Sequence, residues 1–143
     1  MDSIEFATLN SLAAAYELWG DSGIRVSDSD SEREKSWRRY FERNRDMFLA
    51  AYAPGRLLVG VAVVFTDGRK GSIYRLAVKT AWQRKGIGSQ LISLAERRIR
   101  DSGISGAYVL IENKSVHSRG LFAAKGYTEI DTARYYTRDL TDE

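Results

Sequence analysis

The residues with the clearest chemical potential stand in one short stretch, Gln83-Arg84-Lys85-Gly86-Ile87-Gly88. It follows the apolar run Ile73-Tyr74-Arg75-Leu76-Ala77-Val78 after a polar connection and opens a segment of helical periodicity. The first four amides of a helix lack internal acceptors and lie at the positive end of its dipole, so such a start attracts a phosphate or pyrophosphate. Glycines at 86 and 88 let that backbone approach an anion without a Cβ collision, and Arg84 and Lys85 add positive charge beside it. The same residues also suit a plain glycine-containing turn between strand and helix with basic neighbours. Two familiar glycine signatures are excluded. A dinucleotide fingerprint needs glycine at position 91, where Leu91 stands, and the P-loop pattern occurs nowhere.

The elements that must carry this stretch are legible from periodicity. Leu12, Tyr16 and Trp19 form one apolar stripe, predicting a helix near residues 10–20 that Gly20 ends. Asp21 to Asp30 has no periodicity and reads as a loop. Ser31 and Glu34 fit a capping box for a second helix near 31–43, with Trp37, Tyr40 and Phe41 on one side. Three strands follow as a meander, Met47 to Tyr52, Leu57 to Phe65 and Ser72 to Val78, joined by a type II turn at Pro54-Gly55 and a hairpin turn at Asp67-Gly68. Ile87, Leu91, Ala95 and Ile99 advance by fours and define a helix that Ser102-Gly103 closes. Ala107 to Ile111 reads as a central strand, Val116 to Lys125 as a short helix ended by Gly126, and Tyr127–Ile130 and Arg134–Leu140 as two last strands. The order predicts an α/β or α+β protein built on one mixed sheet, without repeats or low-complexity tracts.

A chain of 143 residues is the length of one domain, here residues 1–143. It is 43% hydrophobic and 29% charged with one proline, which supports a packed core over disorder. No apolar run approaches the ~20 residues of a membrane helix, and MDSIEFATLN lacks the layout of a signal peptide, so a cytoplasmic location without membrane association is expected. With no cysteine and the single His117, thiolate catalysis, cysteine metal sites and histidine clusters drop out, and no metal is expected. The net charge of +3 predicts no nucleic-acid partner. The basic residues between Glu32 and Arg45 and between Arg97 and Arg100 are explained by solvated helix faces.

Strand, connection and Gln83-x-x-Gly86-x-Gly88 at a helix start resemble the acyl-CoA-binding loop of the GNAT N-acetyltransferases, whose pattern is Q/R-x-x-G-x-G/A. Leu76-Ala77-Val78 is similar to the family's pre-loop strand, Leu91-Ile92 to its helix, and Leu121-Phe122-Ala123-Ala124-Lys125-Gly126-Tyr127 to its later L-Y-x-x-x-G-F/Y segment. The resemblance runs from about residue 4 to 140 and covers the whole order of elements. It implies a GNAT-like fold with a splayed central pair of strands, and an acetyl-CoA-dependent N-acetyltransferase acting on a small-molecule amine, peptide N-terminus or lysine. It further implies that amides from Gln83 to Ser89, with Arg84, Lys85 and Ile87 among them, hold the CoA pyrophosphate. Leu76, Ala77 and Val78 would pair with the pantetheine arm as an added strand, and the Val78 amide would polarise the acetyl carbonyl.

The match departs from the family at two positions. Phe122 stands where a tyrosine often protonates the leaving thiolate; it keeps the ring for packing against the cofactor but has no proton to give. Tyr127, Tyr135, Tyr136 or a water would have to serve, or the thiolate departs unassisted; water or unassisted departure is preferred. Ser115 replaces a frequent cofactor-binding asparagine. Glu112, at the end of the Ala107–Ile111 strand, is the candidate general base, directly or through water, and an exposed strand-end glutamate is the plainer reading. His117 reads as a surface polar residue, and Tyr135 and Tyr136 as alternating strand positions. Asp21, Asp28 and Asp30 could attract a cationic amine or simply solvate their loop. Two rivals remain: a catalytically silent acyl-CoA sensor, motivated by Phe122, and a nucleic-acid-binding domain resting on the Arg-rich helix. The apolar last strand could pair across a homodimer.

Overall fold

In the computed structural model, residues 3–22, 31–138 and 140 are described. Five strands, β1 (Glu5–Thr8), β2 (Phe48–Ala53), β3 (Leu57–Thr66), β4 (Gly71–Val78) and β5 (Ala107–Tyr108), form one sheet in that spatial order. The first three pairings are antiparallel and β4 pairs with β5 in parallel, so the sheet is mixed as expected. The Asp67 carboxylate accepts from the amides of Arg69 and Lys70, both at 2.8 Å, and fixes the turn between β3 and β4.

Two helices cover one face of the sheet. The first, α1 (Leu12–Asp21), starts at Ser11, whose hydroxyl accepts from the Ala14 amide at 3.2 Å. It runs through Gly20 and ends at the Ser22 cap, a turn-level difference from the expected stop. The second, α2 (Ser31–Arg43), carries Phe41 into the core; the Ser31 side chain of the expected capping box lies outside the described residues. Leu12, Ala15, Leu18 and Trp19 bury with Phe41 against Phe48, Ala50, Val61, Val63 and Ala77. The aromatic rings interlock: Trp37 lies 5.3 Å from Trp19 and 5.5 Å from Phe65, spacings at which tilted rings attract.

A third helix, α3 (Ile87–Asp101), lies on the opposite face through Ile87, Leu91, Ile92, Ala95 and Ile99. Its approach depends on two strand residues that lack side chains. A Cβ on Gly60 would come within 3.0 Å of Leu91 and 3.2 Å of Ile87, and one on Gly71 within 2.7 Å of Ile99. Gly60 pairs with Val78 at the far end of β4, and Gly71 begins β4, so α3 runs back along the strand with its N-terminus over the strand's last residues.

Three expectations differ. The edge strand β1 is too short, at four residues, to show a period in the sequence. The strand expected over Ala107–Ile111 reduces to the two residues of β5, and Leu110 is exposed. The segments Tyr127–Ile130 and Arg134–Leu140 carry no strand among the described residues, with Ile130, Tyr135 and Tyr136 exposed. Alternating apolar residues become a strand only where a neighbour supplies the ladder, and propensity alone does not create one. The final helix, α4 (Val116–Ala124), is where expected. The chain forms two compact units, Met1–Ile111 and Glu112–Glu143.

Candidate functional site

The end of β4 has the features the sequence assigns to it. Its ladder with β5 reaches only Gly71 and Ser72, so from Ile73 to Val78 that edge has no strand partner among the described residues. On the β3 side the pairing is Val61 with Ala77 and Val63 with Tyr74, which leaves Arg75 and Leu76 opposite Ala62 alone. This is a β-bulge, with Arg75 at φ 51. Ala77 points into the core, while Leu76 and Val78 are partly exposed. The Lys79 amide then closes the strand on the Val59 carbonyl at 2.8 Å.

A single 3-10 turn, Thr80–Trp82, leads into the glycine-bearing loop. The Gln83 side chain donates from Nε2 to the Val78 carbonyl at 3.0 Å, bracing the loop against the strand end. Arg84 adopts φ 64 and Gly86 φ 85, the left-handed region that glycine enters without penalty. Gly86 is the N-cap of α3 and makes no side-chain capping bond, so the amides of Ile87, Gly88 and Ser89 open the helix without an internal acceptor. Ile87 is buried and anchors this turn, whereas Arg84, Lys85 and Gly86 are exposed and Gly88 and Ser89 partly so. Nothing stands within 4 Å of a Cβ placed on Gly86, so the space beside that residue is open. The Lys85 ammonium lies 5.8 Å from the Trp82 ring centroid. Open backbone donors, a helix dipole and two cations suit a pyrophosphate.

The remaining candidates belong to the second unit. Glu112 is exposed and lies beyond the end of β5 rather than on it, its carbonyl accepting from the Ser115 amide at 2.9 Å. Ser115 is the N-cap of α4 without a side-chain capping bond. Phe122 is only 3% exposed, and its ring packs edge-on against Tyr127 at 5.1 Å. His117 is exposed, and so are Tyr135 and Tyr136, in place of the strand alternation expected of the tyrosines. Asp21 lines a cleft of about 220 Å³ together with Glu17, Arg56 and Lys79. Asp28 and Asp30 lie outside the described residues.

The sequence did not reveal the surroundings of the bulge. The Arg75 guanidinium lies over the rings of Trp37 at 4.7 Å, Trp19 at 5.2 Å and Tyr74 at 5.8 Å. The Trp19 indole donates to the Arg75 carbonyl at 2.8 Å, satisfying a group the bulge removes from the ladder. Burial pushes the Arg75 pKa down, and burial, followed by the nearby Glu34 carboxylate, pushes the Tyr16 phenol up. The aromatic spacing was visible, but a bulge that turns two consecutive side chains to one face was not. Among the described residues no three His, Asp or Glu side chains gather to hold a metal, and no helix is long and apolar enough to cross a membrane.

Comparison with known proteins bears on this geometry. The profile described as the acetyltransferase (GNAT) domain matches residues 18–140. An uncharacterised N-acetyltransferase of Chlorobaculum tepidum is 32% identical over 68% of this chain, and the match spans 59% of that protein's length. Among solved structures, the NatC complex bound to Gag peptide and CoA superposes with a TM-score of 0.74 at 16% identity, covering 90% of this chain and 87% of that one. N-acetylglutamate synthase from Neisseria gonorrhoeae, complexed with coenzyme A and N-acetyl-glutamate, gives 0.65 at 24% identity, covering 86% of this chain and 28% of that one. These likenesses establish the fold that the loop and its flanking elements led us to expect.

Proposed function

Because the chain belongs to the GNAT acetyltransferase family, we propose that it transfers the acetyl group of acetyl-CoA to a primary amine by direct attack of the amine on the thioester. The observation that carries this reading is the uncapped, glycine-started N-terminus of α3 placed at the end of a strand whose outer edge is open. Amides of Ile87, Gly88 and Ser89 hold the pyrophosphate, Arg84 and Lys85 neutralise it, and Gln83 keeps the loop on the strand. Leu76, Ala77 and Val78 offer their backbone to the amide-bearing pantetheine arm. Acetyl-CoA supplies an activated carbonyl and a leaving thiolate. The Val78 amide donates to the carbonyl oxygen as charge develops there. Glu112 accepts the amine proton at its carboxylate, directly or through a water, and the thiolate leaves unassisted or takes its proton from water. Ser115 and Phe122 are assigned to the cofactor by resemblance alone. The NatC structure holds a peptide and the glutamate synthase an acetylated amino acid, so the shared fold leaves the acceptor open.

Thermal unfolding with and without acetyl-CoA tests the reading, with ATP and NAD as controls. A ligand at ~100 times its dissociation constant stabilises a one-site binder by about 2.7 kcal/mol. Gly88→Glu is the matched variant: residue 88 has no positive φ, and a carboxylate in the first helical turn favours the helix while repelling pyrophosphate. A shift specific to acetyl-CoA and absent in Gly88→Glu is expected. No shift in the wild type would defeat both the transferase and the sensor readings, and a shift without turnover on any amine would favour the sensor.

A further inference from the structure

The described residues hold three buried side-chain polar atoms without a hydrogen-bond partner, and all belong to α1, its C-terminal cap or the β4 bulge: Tyr16 Oη, Ser22 Oγ and Arg75 Nη1. Such orphans are uncommon because each gives up its solvation without a protein partner in return. Arginine has no acceptor atoms, so the group missing from Nη1 must be an acceptor. The neighbours do not provide one as a carboxylate. The groups acting on Arg75 are the phenols of Tyr74, which hydrogen-bonds its side chain, and of Tyr16, and the surrounding surface is the faces of Trp19, Trp37 and Tyr74. The nearby Glu34 carboxylate acts on Tyr16 and pairs with Arg38 at 3.1 Å. At the rim of this aromatic cup Tyr74 is 37% exposed and stacks on Trp37 at 6.0 Å, so a swing of this one ring would uncover the two buried polar atoms of Arg75 and Tyr16.

We propose that Arg75 and Tyr16, at the base of this aromatic cup, bind the carboxylate of the acceptor, so that the substrate is an amino acid or an amine bearing a carboxylate. This rests on the acetyl-transfer reading. A carboxylate has two oxygens and about four lone-pair positions, enough for the guanidinium and the phenol together. The guanidinium itself stacks on the aromatic faces, which leaves its edge N–H groups to pair with a planar carboxylate. Arg75 stands three residues before Val78, roughly 10 Å along an extended strand and less across a bulge. A carboxylate held by the long Arg75 side chain therefore leaves the amine of the same small molecule within reach of a carbonyl polarised at Val78. The same cation disfavours polyamines, which bring like charge to a desolvated guanidinium.

The test pairs amino acids as free acids with their α-carboxamides, adds spermidine, and follows thiol release in the wild type, Arg75→Gln, Arg75→Lys and Tyr16→Phe. The wild type is expected to prefer acid over amide by about 10- to 100-fold in kcat/KM, the range of a charge-assisted hydrogen bond. Arg75→Gln should abolish that preference while the KM for acetyl-CoA and its thermal shift persist, and Arg75→Lys should retain part of it. Equal use of acid and amide by the wild type, or equal loss of both in Arg75→Gln, overturns the proposal. Tryptophan emission gives a readout without turnover. Amino acids should change it saturably in the wild type and not in Arg75→Gln, and no saturable change overturns carboxylate binding. An equal response to inorganic phosphate would overturn the assignment to carboxylates. Loss of the acetyl-CoA shift itself would instead strike the transferase reading, a separate outcome.

Discussion

Gln83 and Glu112 are both polar residues that the sequence marks as candidates, and the structure gives them unequal support. Gln83 binds the Val78 carbonyl and so holds the loop in place, a role its family pattern did not specify. Gln83→Ala should lower acetyl-CoA affinity about 3- to 10-fold, the worth of one neutral hydrogen bond, with little change in kcat, measured from initial rates. Glu112 sits on an exposed turn, and its part in the reaction rests on chemical type. If its carboxylate takes the amine proton, Glu112→Gln lowers kcat about 100-fold, since general bases contribute at least that much, and changes the pH profile. An unchanged rate and profile with a real acceptor would remove Glu112 from the mechanism. The loop was legible because six consecutive residues encode it. The cup around Arg75 was not, because Tyr16 and Trp19 of α1, Trp37 of α2 and Tyr74 of β4 come from three elements and meet only through the bulge.

The long elements were legible for a different reason: β3 and α3 each repeat their period often enough to announce themselves. The four residues of β1 and the two of β5 carry no period, and their existence depends on partners. What pattern could not convey is how closely α3 approaches the sheet, which Gly60 and Gly71 decide. These two glycines separate binding from stability. Gly71→Ala would drive a methyl into Ile99 at the last turns of α3, against a β-branched side chain with little rotamer freedom, and should cost about 1–3 kcal/mol of unfolding free energy. Gly60→Ala presses instead on Ile87 and Leu91 in the first turns, where the phosphate-binding amides begin. It should weaken acetyl-CoA binding beyond its cost in stability, whereas Gly71→Ala leaves binding within about twofold. Denaturant melts with ligand titrations on both variants check the contrast. Equal losses of affinity would mean that the tilt of α3 does not set the anion site.

The same aromatic layer that surrounds Arg75 ties the chain's stability to pH. Tyr40 projects from α2 into the rings of Phe48 and Phe65 and donates its hydroxyl to the Val64 carbonyl at 2.6 Å. Burial pushes its pKa up to about 12, with the Asp46 carboxylate adding to the effect. Below pH 10 the phenol is neutral in both folded and unfolded chains, so its contribution is fully present. Between about pH 10 and 12 the unfolded chain releases this proton and the folded chain keeps it. The unfolded state then binds fewer protons, and stability falls as pH rises through that window, levelling once the folded phenol also ionises. Tyr16, whose pKa burial also raises, acts in the same direction. Tyr40→Phe should cost about 1 kcal/mol near neutral pH, the net worth of the lost hydrogen bond, and should flatten the alkaline decline. Urea midpoints between pH 8 and 11 for both proteins decide it: curves that stay parallel throughout would show that Tyr40 ionises as easily folded as unfolded, and that the hydroxyl is not sealed in the layer that joins α2 to the sheet.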